Sequence, residues 1–485
     1  MDSMTFVLFG ASGDLAKRKI FPALYHLFVD KKMPKAFSVF GTGLEEMSIN
    51  DFQLYVMESV QMYSRTTKVD EQQLLEFSKT LQYMQIDVTK PEGYQRLLAG
   101  IQQTEELLDI TQNRMFYLSV GPSLFEVIAY NIEQSGLGST MGWRRLVIEK
   151  PFGHDLVSAR RLNDQLSKVF KEDEIYRIDH YLGKSMVQNL ATLVILNPVI
   201  HAIWNREYIA NIQITASETV GVEERAGYYD QAGAIRDMFQ NHMLQMLMMT
   251  TMNLPRSISA NDIRSEKKHV MGSLRSLSKE DVSLSVIRGQ YEQGEIVGNP
   301  VVGYKDEPGI PESSTNDTFI ATRAWIDNPF WIGVPFYLRT GKRLKEKSTR
   351  IVIEFNNHFN RLYPLVNQQA EPNLLIINIG PYEGITMQLN SHNQNDHGKV
   401  DPITVEFSAD TKEMPEAYEL LIEDALQGDS TFFAHWDEVE LSWKWVQPIL
   451  EAFEENSLPL HTYSAGTMGP KAADDLLEEN GFVWR

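Results

Sequence analysis

The chain has 485 residues, 43% of them hydrophobic and 23% charged, the make-up of an ordinary folded protein with two or three domains. It has no cysteine, which excludes disulfides, zinc–thiolate sites, iron–sulfur clusters and a catalytic thiol. A net charge of −20 repels polyanions, so nucleic acid is not an expected partner, and no run of about 18 apolar residues marks a membrane helix.

The opening MDSMTFVLFGASGDLAKRK has an acid at Asp2 and only a short apolar run, so it is not read as a secretory signal. A cysteine-free chain of this kind fits a reducing cytoplasm. TFVLFG (5–10) is apolar and ends in glycine, the pattern of a buried parallel strand. Gly10, Gly13 and Ala16 follow at G-x-x-G-x-x-A spacing. Small residues there permit a tight strand-to-helix turn and bring backbone N–H groups close to a pyrophosphate. The same spacing also serves a plain tight turn. The helix beyond carries Leu15, Ile20, Leu24 and Leu27 on one face, interrupted near Pro22.

FSVFGTG (37–43) is the second expected strand. Its end is where a dinucleotide fold reads the adenosine ribose. Gly41, Thr42, Gly43, Leu44, Glu45 and Glu46 stand there, without Arg or Lys. A 2′-phosphate calls for a cation; an acid prefers the 2′-hydroxyl. Equally, Glu45 and Glu46 would suit the opening turn of the next helix. Strands are further expected at 82–87, 114–120 and 144–150, with helices between them, which gives a doubly wound parallel sheet. Lys150 closes the last of these strands, at the edge where such sheets bind ligands.

RIDHYLGK (177–184) then gathers Asp179, His180, Tyr181 and Lys184. From about residue 205 alternating strands dominate, at 211–219, 318–326, 336–342, 350–355, 374–379, 384–390 and 403–409. They predict a large, mainly antiparallel sheet with helices over one face, at 232–252, 416–427, 440–454 and from Pro470. The Gly- and Pro-rich stretch 289–315 is expected to be a surface excursion. The first of these helices is a Met-rich core helix interrupted by Asp237, Gln240, Asn241 and His242. Asp237 and His242 would stand about 140° apart on an ideal α-helix, flanking rather than sharing a face. GKRLKEKSTR (341–350) is a dense basic run, either a solvated face or an anion site. HNQNDH (392–397) has two His but no third ligand at sensible spacing, so no metal is expected.

The blocks GASGDLAKRK, EKPFG, RIDHYLGK, GYYDQAGAIRDMFQNH, GVPFYLRTGKRL and YSAGTMGP, in this order, resemble the glucose-6-phosphate dehydrogenase family across nearly the whole chain. The resemblance implies a Rossmann domain, taken as residues 1–178, followed by a substrate-binding and dimerisation β+α domain, 179–485. It implies oxidation of glucose 6-phosphate at C1 to 6-phosphogluconolactone with NAD or NADP, the first step of the pentose phosphate pathway, by a homodimer or homotetramer. By resemblance His242 is the general base and Asp179 orients it. His180, Tyr181, Lys184 and Lys347 hold the phosphate side of the substrate. Glu218, Asp237 and Lys342 hold the sugar. Gly10, Ser12, Gly13, Asp14 and Leu15 contact the cofactor, and Lys150 stands between cofactor and substrate. The chain departs from the family at Leu44, where many members carry a 2′-phosphate Arg, so strict NADP use is not expected and NAD should be accepted. Arg18 and Lys17 are the alternative cations. Two rivals remain: a dehydrogenase of another phosphosugar, and a dinucleotide sensor that has lost the reaction.

Overall fold

The computed structural model describes residues 2–66, 68–253, 259–356, 370–392, 400–407 and 414–485. Two compact units emerge. The first comprises Met1–Lys184, Ser259–Arg264 and Lys412–Glu440; the second comprises Ser185–Ile258, Ser265–Thr411 and Leu441–Arg485.

The first unit is built on six parallel strands: Met4–Phe9 (β1), Phe37–Gly43 (β2), Leu81–Gln85 (β3), Arg114–Leu118 (β4), Arg144–Glu149 (β5) and Ile175–Ile178 (β6). Their order is β3-β2-β1-β4-β5-β6. Every residue of β1 and β2 is buried, as a sheet covered on both faces requires. The order reverses between β1 and β4, so the ligand crevice lies outside the carboxyl ends of that pair. The helix Ala417–Gln427 also packs here: Leu421, Ile422, Ala425 and Leu426 join the core with Phe21 and Leu24. This corrects the expectation that it covers the second sheet. Its periodicity marks an apolar face but not the sheet that face meets.

The second unit holds the strands Ile209–Ser217 (β7), Val286–Glu292 (β8), Gly294–Ile296 (β9), Asn299–Val301 (β10), Phe319–Trp325 (β11), Pro335–Gly341 (β12), Ser348–Phe355 (β13), Leu374–Gly380 (β14), Gly384–His392 (β15), Val400–Phe407 (β16) and Leu460–Ser464 (β17). Nine of them form one sheet in the order β16-β15-β14-β13-β7-β12-β11-β8-β17. Only the β7–β12 and β8–β17 pairs are parallel; the rest are antiparallel. The stretch 289–315 is not simply a surface excursion, because β8 runs through its start, β9 and β10 pair as a ribbon, and Tyr291 and Tyr304 are buried. Gly289 is a close-approach glycine rather than a turn signal: a Cβ there would meet the Tyr463 ring at 3.2 Å. Among the described residues no helix is long and apolar enough to cross a membrane.

Candidate active site

In the first unit the turn after β1 has the geometry its glycines foretell. Gly10 adopts φ +83°, and a Cβ there would strike Ser119 O at 2.3 Å. The N–H groups of Gly10 and Ala11 both reach Thr42 O, at 3.0 and 2.9 Å, which ties the turn to the end of β2. The helix runs unbroken from Asp14 to Val29, with a π-helical turn at Ala16–Ile20 just before Pro22, so the proline lies inside the helix without ending it. A Cβ on Gly43 would meet Ser12 Oγ at 3.2 Å and Glu45 Oε2 at 3.8 Å. The turn and the acid after β2 therefore both lie close to Gly43, as does Tyr83 Oη at 3.0 Å from the same Cβ position. Leu44, Glu45 and Glu46 are exposed. The next helix, Ile49–Tyr63, has its own capping box of Ser48 and Asp51, so Glu45 and Glu46 do not serve its opening turn. Of the two alternative cations, Arg18 pairs with Asp14 at 2.6 Å and Lys17 lies over the Tyr55 ring.

β6 runs directly into Asp179. The Asp179 carboxylate accepts the N–H of Tyr181 at 2.9 Å, and Leu182 N–H bonds Asp179 O. This fixes a tight turn that presents His180 half-buried and sets Lys184 Nζ 4.4 Å from the centre of the Tyr181 ring. Gly183 lets the turn lie on the helix Ala417–Gln427, since a Cβ would meet Ala417 O at 2.6 Å.

Beside Lys150, Tyr117 Oη donates to Glu149 Oε1 at 2.6 Å, and Tyr418 also hydrogen-bonds the Glu149 carboxylate. Burial pushes the Glu149 carboxyl up to about 7; the two phenols and Lys150 oppose that rise, and Asp179 adds to it. An acid raised from 4.5 favours folding in its protonated form. That contribution is complete below about pH 4.5 and lost as pH rises through about 7. Glu149→Gln is therefore expected to raise Tm by about 2–4 °C in alkaline buffer and much less in acid. An equal shift at both pH values in a thermal melt would refute this account.

In the second unit the Met-rich helix is not a uniform α-helix. Gly233 breaks it at φ +65°, and Ile235–Met243 forms a π-helix, with α-helix resuming at Leu244–Thr251. The α-helical angle between Asp237 and His242 therefore does not apply. With i→i+5 bonding the turn is wider, so residues five apart come closer to a shared face than on an α-helix. Asp237 and His242 are both buried. Asp237 has Arg225 at 3.7 Å and a hydrogen bond from Tyr228. Asn241 Oδ1 accepts the His242 N–H at 2.7 Å. Phe239 and the buried Met243, Met246 and Met249 face the core, as expected.

Glu218 and Lys342 form a 2.7 Å ion pair, with the ammonium 5.0 Å from the centre of the Tyr229 ring. The basic run is sorted by partner. Arg343 pairs with buried Glu307, Arg350 with Glu346, and Lys347 is exposed. Of the 392–397 His pair, His397 lies outside the described residues.

The first unit thus assembles the glycine turn, Lys150, and the Asp179 to Lys184 turn. The second assembles Glu218 with Lys342, and Asp237 with His242. Tyr418, Tyr228 and Glu307 were not singled out from sequence. Tyr418 sits in EMPEAYEL, a stretch with no local site motif, and meets Glu149 only through the fold.

Residues 7–189 match the model described as "Glucose-6-phosphate dehydrogenase, NAD binding domain", and residues 191–485 match "Glucose-6-phosphate dehydrogenase, C-terminal domain". The glucose-6-phosphate 1-dehydrogenase of Bacillus subtilis is 45% identical over 481 residues, 99% of this chain and 97% of that protein. That of Streptococcus pneumoniae is 40% identical over 98% of this chain and 95% of its own length. A solved glucose-6-phosphate dehydrogenase in complex with its substrate superposes with a TM-score of 0.90 at 33% identity, over 100% of this chain and 99% of that one.

Proposed function

Because the chain belongs to the glucose-6-phosphate dehydrogenase family, we propose that it oxidises glucose 6-phosphate at C1 to the 6-phosphogluconolactone, passing hydride to a nicotinamide dinucleotide, the entry reaction of the pentose phosphate pathway. The observation that carries this reading is the family match over residues 7–189 and 191–485 together.

The roles follow from the chemistry. The C1 hydroxyl must lose its proton as hydride departs, and a neutral imidazole takes a proton near neutral pH. His242 is the base in this reading. Asp179 holds its ring and steadies the imidazolium. His180, Tyr181, Lys184 and Lys347 supply the donors and positive charge that a phosphate dianion needs in a chain of net charge −20. Glu218, Asp237 and Lys342 bind sugar hydroxyls and so reject sugars that lack them. Gly10, Ser12, Gly13, Asp14 and Leu15 cradle the dinucleotide, whose bound nicotinamide supplies the hydride acceptor, and Lys150 bridges cofactor and substrate. Self-association as a dimer or tetramer belongs to the same proposal, supported by the exposed Ile403, Val405 and Phe407 of β16. So does a cytoplasmic location.

NAD is the finer part of the proposal. Glu45, beside the Ser12 turn, is suited to a ribose 2′-hydroxyl and repels a 2′-phosphate. Initial rates with glucose 6-phosphate, titrating NAD and NADP separately, test both parts. Turnover is expected with NAD, at a kcat/KM equal to or above that with NADP. An NADP advantage of about a hundredfold, some 2.7 kcal/mol, would overturn the cofactor assignment.

A further inference from the structure

The helix that carries Asp237 and His242 starts abruptly at Gly233, and what holds that start is Asp317, a residue outside every motif above. Its carboxylate accepts the N–H of Ile235 at 3.1 Å, and its carbonyl accepts the N–H of Ala234 at 3.0 Å. Gly233 packs so closely that a Cβ would lie 2.5 Å from Asp317 Oδ1 and 2.8 Å from Asn316 Oδ1. The next residue extends the bracket. Thr318 O accepts the N–H of Lys342 at 3.0 Å, and Thr318 Oγ1 shares a 2.9 Å bond with Tyr463 Oη, which donates to Lys342 O at 2.7 Å. One dipeptide therefore registers the helix of Asp237 and His242 against the segment of Lys342 and its partner Glu218.

We propose that Asp317 is a positioning residue for the dehydrogenase reaction, setting the first turn of the helix that bears the proposed base and tying it to the sugar-binding lysine. The inference rests on the dehydrogenase reading. Asp317 is 4% exposed. Around it stand Arg236 from its own client helix, Arg288 from β8, Tyr229 from the helix Ala226–Ala234 and Tyr463 from β17. Asp230 and Glu454 face it across a cavity of about 410 Å³ lined also by Arg236 and Arg288. Burial pushes the Asp317 carboxyl up to about 6, against the opposing pull of the Ile235 N–H and the two arginines. An ionised acceptor binds an N–H more strongly than a protonated one, so the bracket weakens as pH falls through about 6. Protonated Asp317 still offers a carbonyl oxygen to Ile235, so this loosening should lower kcat/KM only about two- to fivefold rather than abolish activity.

The test uses the full-length chain with Asp317→Ala and Asp317→Asn, assayed for glucose 6-phosphate oxidation across pH, with cofactor affinity measured by nucleotide fluorescence. Asp317→Ala is expected to lower kcat/KM at least about tenfold while cofactor Kd stays within about twofold. Asp317→Asn keeps a neutral acceptor for Ile235, so it should lie about two- to fivefold below the parent in alkali and converge on it as pH falls below about 6. Should the Ala variant fail to fold, the alkaline loss in the Asn variant, with cofactor Kd unchanged, decides the matter alone. A folded Ala variant with unimpaired kcat/KM, or an Asn variant that stays in constant ratio to the parent across pH, overturns the proposal. Absence of glucose 6-phosphate turnover in the parent chain would instead refute the dehydrogenase reading, and this inference with it.

Discussion

His242→Asn is expected to lower kcat by about 10²–10⁴-fold, the span that positioned general bases typically contribute. Asparagine can still hydrogen-bond a sugar hydroxyl but cannot take its proton. His242 is fully buried in the π-helical segment, so bulk water is a poor substitute for the lost base. KM for glucose 6-phosphate should move only a few-fold, because the phosphate side is assigned to other side chains. Cofactor Kd should not move, because the glycine turn belongs to the other unit. Steady-state kinetics together with a nucleotide titration check this. A variant retaining more than about a tenth of the parental kcat would remove His242 from the role, since a base contributes at least about a hundredfold.

Lys184→Ala is expected to cut kcat/KM for glucose 6-phosphate by about 10–10²-fold. A hydrogen bond to a charged group contributes about 1.5–3 kcal/mol, and each 1.4 kcal/mol is tenfold. The ammonium is placed by a short turn that Asp179 pins through Tyr181, and it rests over the Tyr181 ring. Little ordering is left to be done when substrate arrives. The loss should appear mainly in KM and should vanish with unphosphorylated glucose, which offers Lys184 nothing to bind. Equal losses with glucose and glucose 6-phosphate would mean that the lysine supports the fold of the turn rather than the phosphate.

How much of this could be seen in the residues alone depended on the length scale of each signal. The strands β1 to β5 announced themselves as apolar runs between glycines and charged helices. β6 did not, because IYRI has only four residues and runs straight into the polar stretch DHYLGK. β8 was hidden by Gly289, which signals a turn in sequence but a close ring contact in space. The π-helix was invisible because a search for a 3.6-residue period presumes the rotation it then measures. Contiguous blocks were enough to propose Asp179, His180, Tyr181, Lys184, Asp237 and His242 as candidates. Those that act through distant packing were not. Glu149 stood in plain view beside Lys150, but its partner Tyr418 lies some 270 positions later. Asp317 sits in a polar stretch of Ser, Thr and Asn whose composition suggests only a loop.

The late arrival of the helix Ala417–Gln427 in the first unit has a cost in time. A ribosome that has finished Lys184 has made all six parallel strands, yet the helix that covers part of their apolar core lies beyond Lys412. At about 5–20 residues per second, the nascent unit waits on the order of 10–50 seconds for its missing piece. Through that interval the surface that Leu421, Ile422 and Leu426 will occupy stays open. The closing contact must then span a loop of more than 200 residues, though loop entropy grows only slowly with length. The amino-terminal unit of this enzyme is thus the first to be begun and among the last to be finished.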